Sequence, residues 1–502
     1  MSAANNKYLT KSKYVKGMQC PKMLWMDEHM PEEAISKTNP SILENGLRAG
    51  EVARGYFGDF ALVEFDANVE NMCKETARLM EAGEENIAEA TFMYENMLCR
   101  VDILHFNGEN NDIVEVKSAT KIRDEYYFDV SFQYYVLTNA GVQVDKIYLI
   151  YENNEYYRCG ELDLQELFIK EDVTDYAKAL ATTVEVNADE FLRFMNAETE
   201  PEKEIDVCCE KPFECDYKEY CSRFVPRPSV LDIAGLYSSK KYRYYQDGIV
   251  TFEDIITKPY LLNLRQMKQV QAEVNQEPPT VETKRIKAFL DTLTYPMYHL
   301  DFETFQPAVP PFDDTKPWMQ IPFQYSLHVQ REKYGPLEHY EFLAKEGTDP
   351  RRELAEQLCR DIPLDVCSLA YNMRFEQMII RQLAATYDDL ADHLMNIHDN
   401  MRDLMIPFKE QSYYARELEG SYSIKYVLPA MCPDDSQLDY TVLDQIHNGS
   451  EAMDAFPRMG DGSMSPEEIE RTRKNLLAYC GLDTLAMVKV LEKLQQLTDD
   501  EE

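Results

Sequence analysis

Apolar and polar positions follow two periods along the chain, and each period predicts an element. In YPMYHLDFETF (295–305) they alternate, which predicts a strand over 297–303 with Asp301 and Glu303 on one face. The stretch CRVDILHFNGENNDIVEVKSATK (99–121) reads as two strands about a Gly/Asn turn. Asp102 lies on the first, and Glu115 and Lys117, two apart, share a face of the second. Helical spacing takes over in RIKAFLDTL (285–293), in LAYNMRFEQMII (369–380), where Glu376 opens the apolar pattern, and in NLLAYCGLDTLAMVKVL (475–491). In the last, Tyr479 and Asp483 stand at i and i+4 on a single helix face. Residues 230–273 read as mostly helical, with DGIVTFEDI (247–255) as a turn that enters a helix.

Proline-containing segments divide these elements. CSRFVPRPSVLDIAG (221–235) marks one boundary and VNQEPPTVETK (274–284) a second. The expected organisation is an α/β N-terminal domain over 1–225, a helical connector over 226–290 and an α/β C-terminal domain over 291–495. LTDDEE (497–502) reads as a frayed acidic tail. A chain of 502 residues is too long for one ordinary core, which agrees with the division. No apolar stretch reaches the roughly 18 residues that span a bilayer. The opening MSAANNKYLTKSKYVKG lacks the apolar centre of a secretory signal, so the expectation is a cytoplasmic protein with no membrane partner.

Charge narrows the function. Lys and Arg number 52 against 90 Asp and Glu, a formal charge of −38 that repels nucleic acid over most of the surface and argues against a general duplex-coating protein. An enzyme that captures an end stays open, because carboxylates loaded with divalent metal are locally far less negative. Two basic stretches interrupt the acidity, KYLTKSKYVKGMQCPK (7–22) and KKYRYY (240–245). Both mix cations with tyrosine, as surfaces that track a backbone and stack on bases do, and both also suit a solvated helix face or loop.

A buried sheet face tolerates two acids only when something positive joins them, and a divalent metal is the natural partner of Asp301 and Glu303. A lone D-x-E is common by chance in so acidic a chain. Here it is followed in order by N-x-x-F and an acid (Asn372 to Glu376) and by Y-x-x-x-D (Tyr479 to Asp483). The ordered set resembles the three exonuclease motifs of the DnaQ-like DEDD superfamily, in the variant that carries Tyr in the third motif. That resemblance implies a ribonuclease H-like fold, metal ligation by Asp301, Glu303, Glu376 and Asp483, and Tyr479 beside the attacking water. The second motif usually ends in Asp, and here it ends in Glu376, whose longer side chain reaches a metal directly or through water. Hydrolysis of a phosphodiester at neutral pH needs a hydroxide nucleophile and relief of charge on the leaving oxygen, which two ions (Mg2+ or Mn2+) about 4 Å apart supply. Lys425, in GSYSIKYVLPAMCP (420–433), could meet a phosphate or be an ordinary surface lysine; Asp403, in RDLMIPF (402–408), is a further carboxylate or a helix cap.

In the N-terminal domain, Asp102 followed by Glu115-x-Lys117 resembles the PD-(D/E)xK nuclease core. There the two acids bind metal and the lysine positions water or stabilises developing charge. Gln133, in DVSFQYYVLTNAG (129–141), matches the Gln that begins the helix after this core in RecB-like nucleases. Twelve cysteines in a chain expected to be cytosolic argue against a disulfide framework. Cys209, Cys215 and Cys221 occur as C-x5-C-x5-C, with Cys20 alone near the start. One early cysteine and a late trio about the core is the layout of RecB-like nucleases with an iron-sulfur staple, and the resemblance covers residues 1 to about 225. Four thiolates suit a 4Fe-4S cluster or, alternatively, a structural Zn2+. Cys208 reads as a bystander or a substitute for Cys209. Cys73, Cys99, Cys159, Cys359, Cys367, Cys432 and Cys480 read as buried or half-buried small hydrophobes. The family often carries G-x-x-x-H on its first helix; here Gly46 is followed by Gly50 in the His place, with Glu51 adjacent as a stand-in.

Together the two domains resemble a bacterial two-nuclease family of unknown function. The resemblance implies a metal-dependent nuclease, a 3′ to 5′ exonuclease on single-stranded DNA ends at the C-terminal site with a second nuclease site in the N-terminal domain. The alternative is a nucleic-acid-binding or redox-responsive scaffold in which one or both sites have decayed.

Overall fold

The strand predicted over 297–303 is Met297–Phe305 in the computed structural model, which describes residues 8–36, 39–433 and 443–499. The chain is mixed α/β and divides into two compact units, Met1–Phe224 with Pro307–Met319, and Val225–Gln306 with Gln320–Glu502. Among the described residues no helix is long and apolar enough to cross a membrane.

The first unit is built on seven strands: β1 (Leu9–Thr10), β2 (Ala61–Leu62), β3 (Asn86–Tyr94), β4 (Met97–Phe106), β5 (Asn111–Lys117), β6 (Val144–Glu152) and β7 (Phe168–Asp172). Their order is β2-β3-β4-β5-β6-β7, and β1 pairs with the start of β4. β3, β4 and β5 form an antiparallel meander, as the Gly/Asn turn requires, whereas β6 runs parallel to β5 after a helical crossover, Asp124–Asn139. Phe132, Val136 and Leu137 of that helix are fully buried against the sheet. The first helix, Lys11–Gln19, joins the same core by stacking Tyr14 on Phe132 at 5.1 Å. The loop Pro307–Met319 belongs to this unit. The Arg158 guanidinium donates to the carbonyls of Pro310 and Pro311, and the Gly160 amide donates to Asp313.

The second unit contains β8 (Thr280–Val281), β9 (Met297–Phe305), β10 (Ile321–Gln330), β11 (Leu337–Leu343), β12 (Cys367–Ala370), β13 (Met401–Asp403) and β14 (Tyr413–Tyr414). Five of them form a sheet in the order β11-β10-β9-β12-β13, antiparallel from β11 to β9 and parallel from β9 to β13; β8 and β14 pair separately. One face is apolar: Tyr298, Leu300 and Phe302 lie with Tyr325, Leu327 and Val329 under the helices Arg351–Asp361, Arg374–Thr386 and Asp388–Asp399. The opposite face carries His299, Asp301 and Glu303 beside His328, Ser326 and Gln324. Simple alternation would leave it to water. Instead the C-terminal helix Pro466–Asp499 covers it, tied down by Gln324 donating to the Leu476 carbonyl at 2.8 Å and by the Ser326–Thr484 hydroxyl pair at 2.7 Å.

Residues 230–273 are helical as expected, over Ser238–Gln246, Phe252–Ile256 and Leu264–Val274, and Thr251 and Asp254 close a capping box at the predicted turn. They pack around their own small core, which includes Tyr244, and Tyr242 is buried as well. The KKYRYY stretch is therefore not a stacking surface: two of its three tyrosines are interior, and Lys241 donates to the Leu231 carbonyl. The acidic tail is corrected too. The final helix continues to Asp499, and residues 500–502 lie outside the described residues.

Candidate functional site

The second unit sets Asp301 and Glu303 with Cys480 in one group and brings Glu376 and Asp483 near enough to act on it through charge; Glu303 and Glu376 are buried, Asp301 and Asp483 half-buried. Asp301 and Glu303 project from β9, at the middle of the sheet, toward the C-terminal helix. That helix returns Cys480 to them, its Sγ 3.7 Å from the Asp301 carbonyl and 3.8 Å from Oδ2. Ligand atoms of Asp301, Glu303 and Cys480 all lie within 4.8 Å of one another, as a metal site requires. Tyr479 and Asp483 flank Cys480 on the helix, and the Tyr479 hydroxyl hydrogen-bonds to Asp483. Glu376 arrives from the other edge. After β12 the chain turns at Asn372, held in the left-handed region (φ 68°), and Glu376 falls in the first turn of Arg374–Thr386. The Asn372 amide donates to Asp403 Oδ1 at 2.9 Å, as does the Met405 amide at 3.0 Å, so Asp403 acts as a backbone cap beside the group.

Electrostatics show that these groups face one another. Burial, then the charge of Asp483, pushes the Asp301 carboxyl well above the usual range. Glu303 is raised by burial, then by Asp301, Asp483 and Glu376, with Lys425 opposing. Glu376 is raised by burial, then by Asp301 and Asp403. Tyr479, raised by burial and by all three neighbouring acids, stays a neutral phenol. Two carboxylates about 5 Å apart repel by about 3 kcal/mol at an effective dielectric near 20. A divalent ion at about 2.1 Å brings twice the charge at less than half that distance. Glu376 Oε2 is buried with no hydrogen-bond partner among the described residues, so it is open to a cation or a water. The residues fit a divalent metal. His299, on the same face, is fully buried, and burial and His328 lower its pKa to about 3, so it is a neutral imidazole.

The first unit also brings its predicted residues together, on different terms. Asp102 from β4 and Glu115 and Lys117 from β5 meet Gln133, which donates to Glu115 Oε2 at 2.7 Å and to Asp129 at 2.9 Å. Gln133 sits in the middle of Asp124–Asn139 rather than beginning it, because the helix starts nine residues earlier, at Asp124. Lys117 donates to Glu115 at 2.7 Å and to Asp129. Unforeseen in the sequence, the Lys11 ammonium reaches Asp102 Oδ1 at 3.1 Å and both Glu115 oxygens at 3.0 and 2.8 Å. Burial lowers the pKa of each lysine and the surrounding acids raise it further, leaving both above the ordinary value. The other described lysines of the basic N-terminal stretch are paired as well: Lys13 with Glu28, Lys16 with Asp27 and Lys22 with Glu200. Among the described residues, then, every lysine of that stretch is neutralised by a carboxylate. Glu51 does not stand in for a histidine; it is exposed and paired with Arg48 at 3.5 Å.

Cys20, Cys209, Cys215 and Cys221 line one pocket, together with Cys208, Met23 and Met26. Cys20 sits at the joint between the helices Lys11–Gln19 and Pro21–His29, and Gln19 ties that joint to the late trio by donating to the carbonyls of Cys208 and Phe213. Cys208 stands beside Cys20 and Cys209 in this pocket. A hydrogen bond from its thiol lowers Cys20 to about 6 and lowers Cys209 as well. Burial pushes Cys215 up to about 12 and raises Cys221. Lys22, Lys203 and Lys218 stand on the pocket wall, each paired with a carboxylate, Glu200, Asp206 and Glu210 in turn. The four thiols share this pocket, but among the described residues the group whose ligand atoms all lie within 4.8 Å of one another is Asp301, Glu303 and Cys480 and not these four thiols. Of the remaining cysteines, Cys159 is exposed, contrary to expectation, and Cys480 belongs to the carboxylate group rather than to the core alone.

Residues 298–423 match a family described as a domain of unknown function (DUF2779). The matched span holds Asp301, Glu303 and Glu376 and stops short of Tyr479 and Asp483. No curated protein matches the chain.

Proposed function

We propose that the chain is a metal-dependent nuclease whose principal site is the carboxylate group of the second unit, acting as a 3′ to 5′ exonuclease on single-stranded DNA ends. One observation carries the proposal. Acids from three distant segments, Asp301 and Glu303, Glu376, and Asp483, lie near enough that their charges, with burial, raise Asp301, Glu303 and Glu376, and Glu376 Oε2 is left unpartnered among the described residues. Their order along the chain, with Tyr479, is the order of the DEDD motifs.

Mg2+ or Mn2+, when bound, supplies Lewis acidity toward the phosphodiester and its leaving oxygen. The chain's own part is positional. Asp301 and Glu303 are fixed by the central strand, and Asp483 by the helix pinned across it. Tyr479, held protonated, orients water through its hydroxyl rather than removing a proton from it. Lys425, whose charge reaches Glu303, offers an ammonium to a phosphate oxygen. The four-thiol pocket is read as the seat of a 4Fe-4S cluster, with structural Zn2+ as the alternative, that staples the two ends of the first unit's chain.

The test is release of nucleotides from labelled single-stranded DNA in Mg2+ or Mn2+, lost in Asp301→Ala. Full activity in Asp301→Ala and Lys117→Ala, singly and combined, would overturn the proposal. The N-terminal site gives specific support to a second reading, a binding scaffold, because an ammonium already bridges its acids. Tight binding of single-stranded DNA without cleavage in either metal selects that reading.

A further inference from the structure

The acids of the first unit already have a cation. Lys11 Nζ lies between Asp102 and Glu115, at the point from which one ion would reach both, and donates to three of their four oxygens. The fourth, Asp102 Oδ2, accepts from the Val116 amide at 2.8 Å. Glu115 is bonded further by Lys117 and Gln133. No oxygen of the pair is left open, in contrast to Glu376 Oε2 in the second unit. Counting charges, Asp102, Glu115 and Asp129 face two ammonium groups and leave one net negative charge, too little to draw in a divalent ion strongly while both remain.

The backbone that delivers Lys11 is well anchored. Thr10 pairs with Leu98 in the sheet and caps the helix that Lys11 begins, and Tyr14 stacks in the core one turn later. The side chain, in contrast, is a flexible stem that keeps a fifth of its surface open to solvent. Swinging it out empties the position without unfolding the helix.

We propose that the Lys11 ammonium is the resident cation of this site, so that a divalent ion gains Asp102 and Glu115 only by displacing it. The first unit is then a gated centre. Its metal occupancy is set by competition with the protein's own N-terminal helix, and its acids stay ordered when no metal is present. The inference rests on reading Asp102 and Glu115 as cation-holding acids and is independent of whether the chain cleaves nucleic acid.

The experiment measures Mn2+ uptake by the full-length chain, by calorimetry and by electron paramagnetic resonance, with the second unit silenced by Asp301→Asn and Glu376→Gln. In that background Lys11→Met is expected to tighten Mn2+ binding by about tenfold or more, Lys11→Arg to leave it as weak as Lys11 does, and Asp102→Asn to cancel the gain. Mn2+ affinity that is the same with and without Lys11→Met, and abolished in both cases by Asp102→Asn, would overturn the proposal. If Lys11→Met does not fold, the lysine-bearing background decides alone: Mn2+ bound at micromolar concentration and lost on Asp102→Asn refutes the gate, and no Asp102-dependent uptake supports it. Because no substrate enters the measurement, absence of nuclease activity leaves its outcome intact.

Discussion

Tyr479 is held as a phenol by burial and by Asp483, Glu303 and Asp301, so its contribution is a hydrogen bond and not a charge. Tyr479→Phe is therefore expected to lower kcat by about 10²-fold while leaving Mn2+ affinity unchanged, read by single-turnover cleavage beside calorimetry. A different carboxyl makes the first unit sensitive to pH. Glu152, at the end of β6, is fully buried, and burial raises it from 4.5 to about 7 despite bonds from Ser118 and the Ala119 amide. It takes up a proton on folding between those two values. Its contribution to stability is complete below 4.5 and is lost as pH rises through 7, by about 3 kcal/mol in all. Urea denaturation at pH 5 and pH 8 is expected to show a loss of stability in the wild type that is smaller by about that amount in Glu152→Gln. Spacing showed which faces Asp301, Glu303 and Tyr479 share, and the ordered set of motifs, through its resemblance, singled them out. Lys11 and Cys480 were not legible, because one sits in a run of lysines that all look solvated and the other has the signature of a small core residue. Asp129 was within reach, since it precedes Gln133 by one helical turn.

The helix Lys11–Gln19 positions Lys11 by packing without clearance. A Cβ on Gly17 would stand 2.6 Å from the Phe191 ring, so Gly17→Ala forces the helix away from Val184–Met195 and is expected to cost about 1–3 kcal/mol in chemical denaturation. Alternation placed the β9 acids correctly because period 2 fixes which side chains share a face. It gave no hint that the polar face is covered, since a strand such as IPFQYSLHVQ reads alike whether water or a helix lies against it. The covering helix was recognised by its own period. Its docking depends on contacts, Gln324 to Leu476 and Ser326 to Thr484, between segments some 150 residues apart, which no local pattern encodes. The start of Asp124–Asn139 was missed for a related reason: DEYYFDVSFQ mixes acids with aromatics at no clear spacing, and burial, not amphipathicity, holds it helical.

Stability and ligand binding are coupled across each unit. If the carboxylate group takes a divalent ion, Mn2+ at a hundred times its Kd adds about 2.7 kcal/mol to the unfolding free energy of the second unit, and EDTA removes it. Thermal unfolding of wild type and Asp301→Asn, with and without Mn2+, checks this; an increment that persists in Asp301→Asn assigns the ion elsewhere. The α/β class and the ordered motifs were readable because each rests on short segments. The assignment of Pro307–Met319 to the first unit was not, because nothing in a proline-rich loop between two strands announces which body it joins. That loop gives the first unit a discontinuous chain. A fragment ending at Phe224 would expose the Arg158 guanidinium and the Gly160 amide that Pro310, Pro311 and Asp313 now engage, and would deprive Glu152 of its Trp318 bond. Expression of the first 224 residues alone is thus a poor route to isolating that body; supplying the missing thirteen as a tethered peptide is the better one.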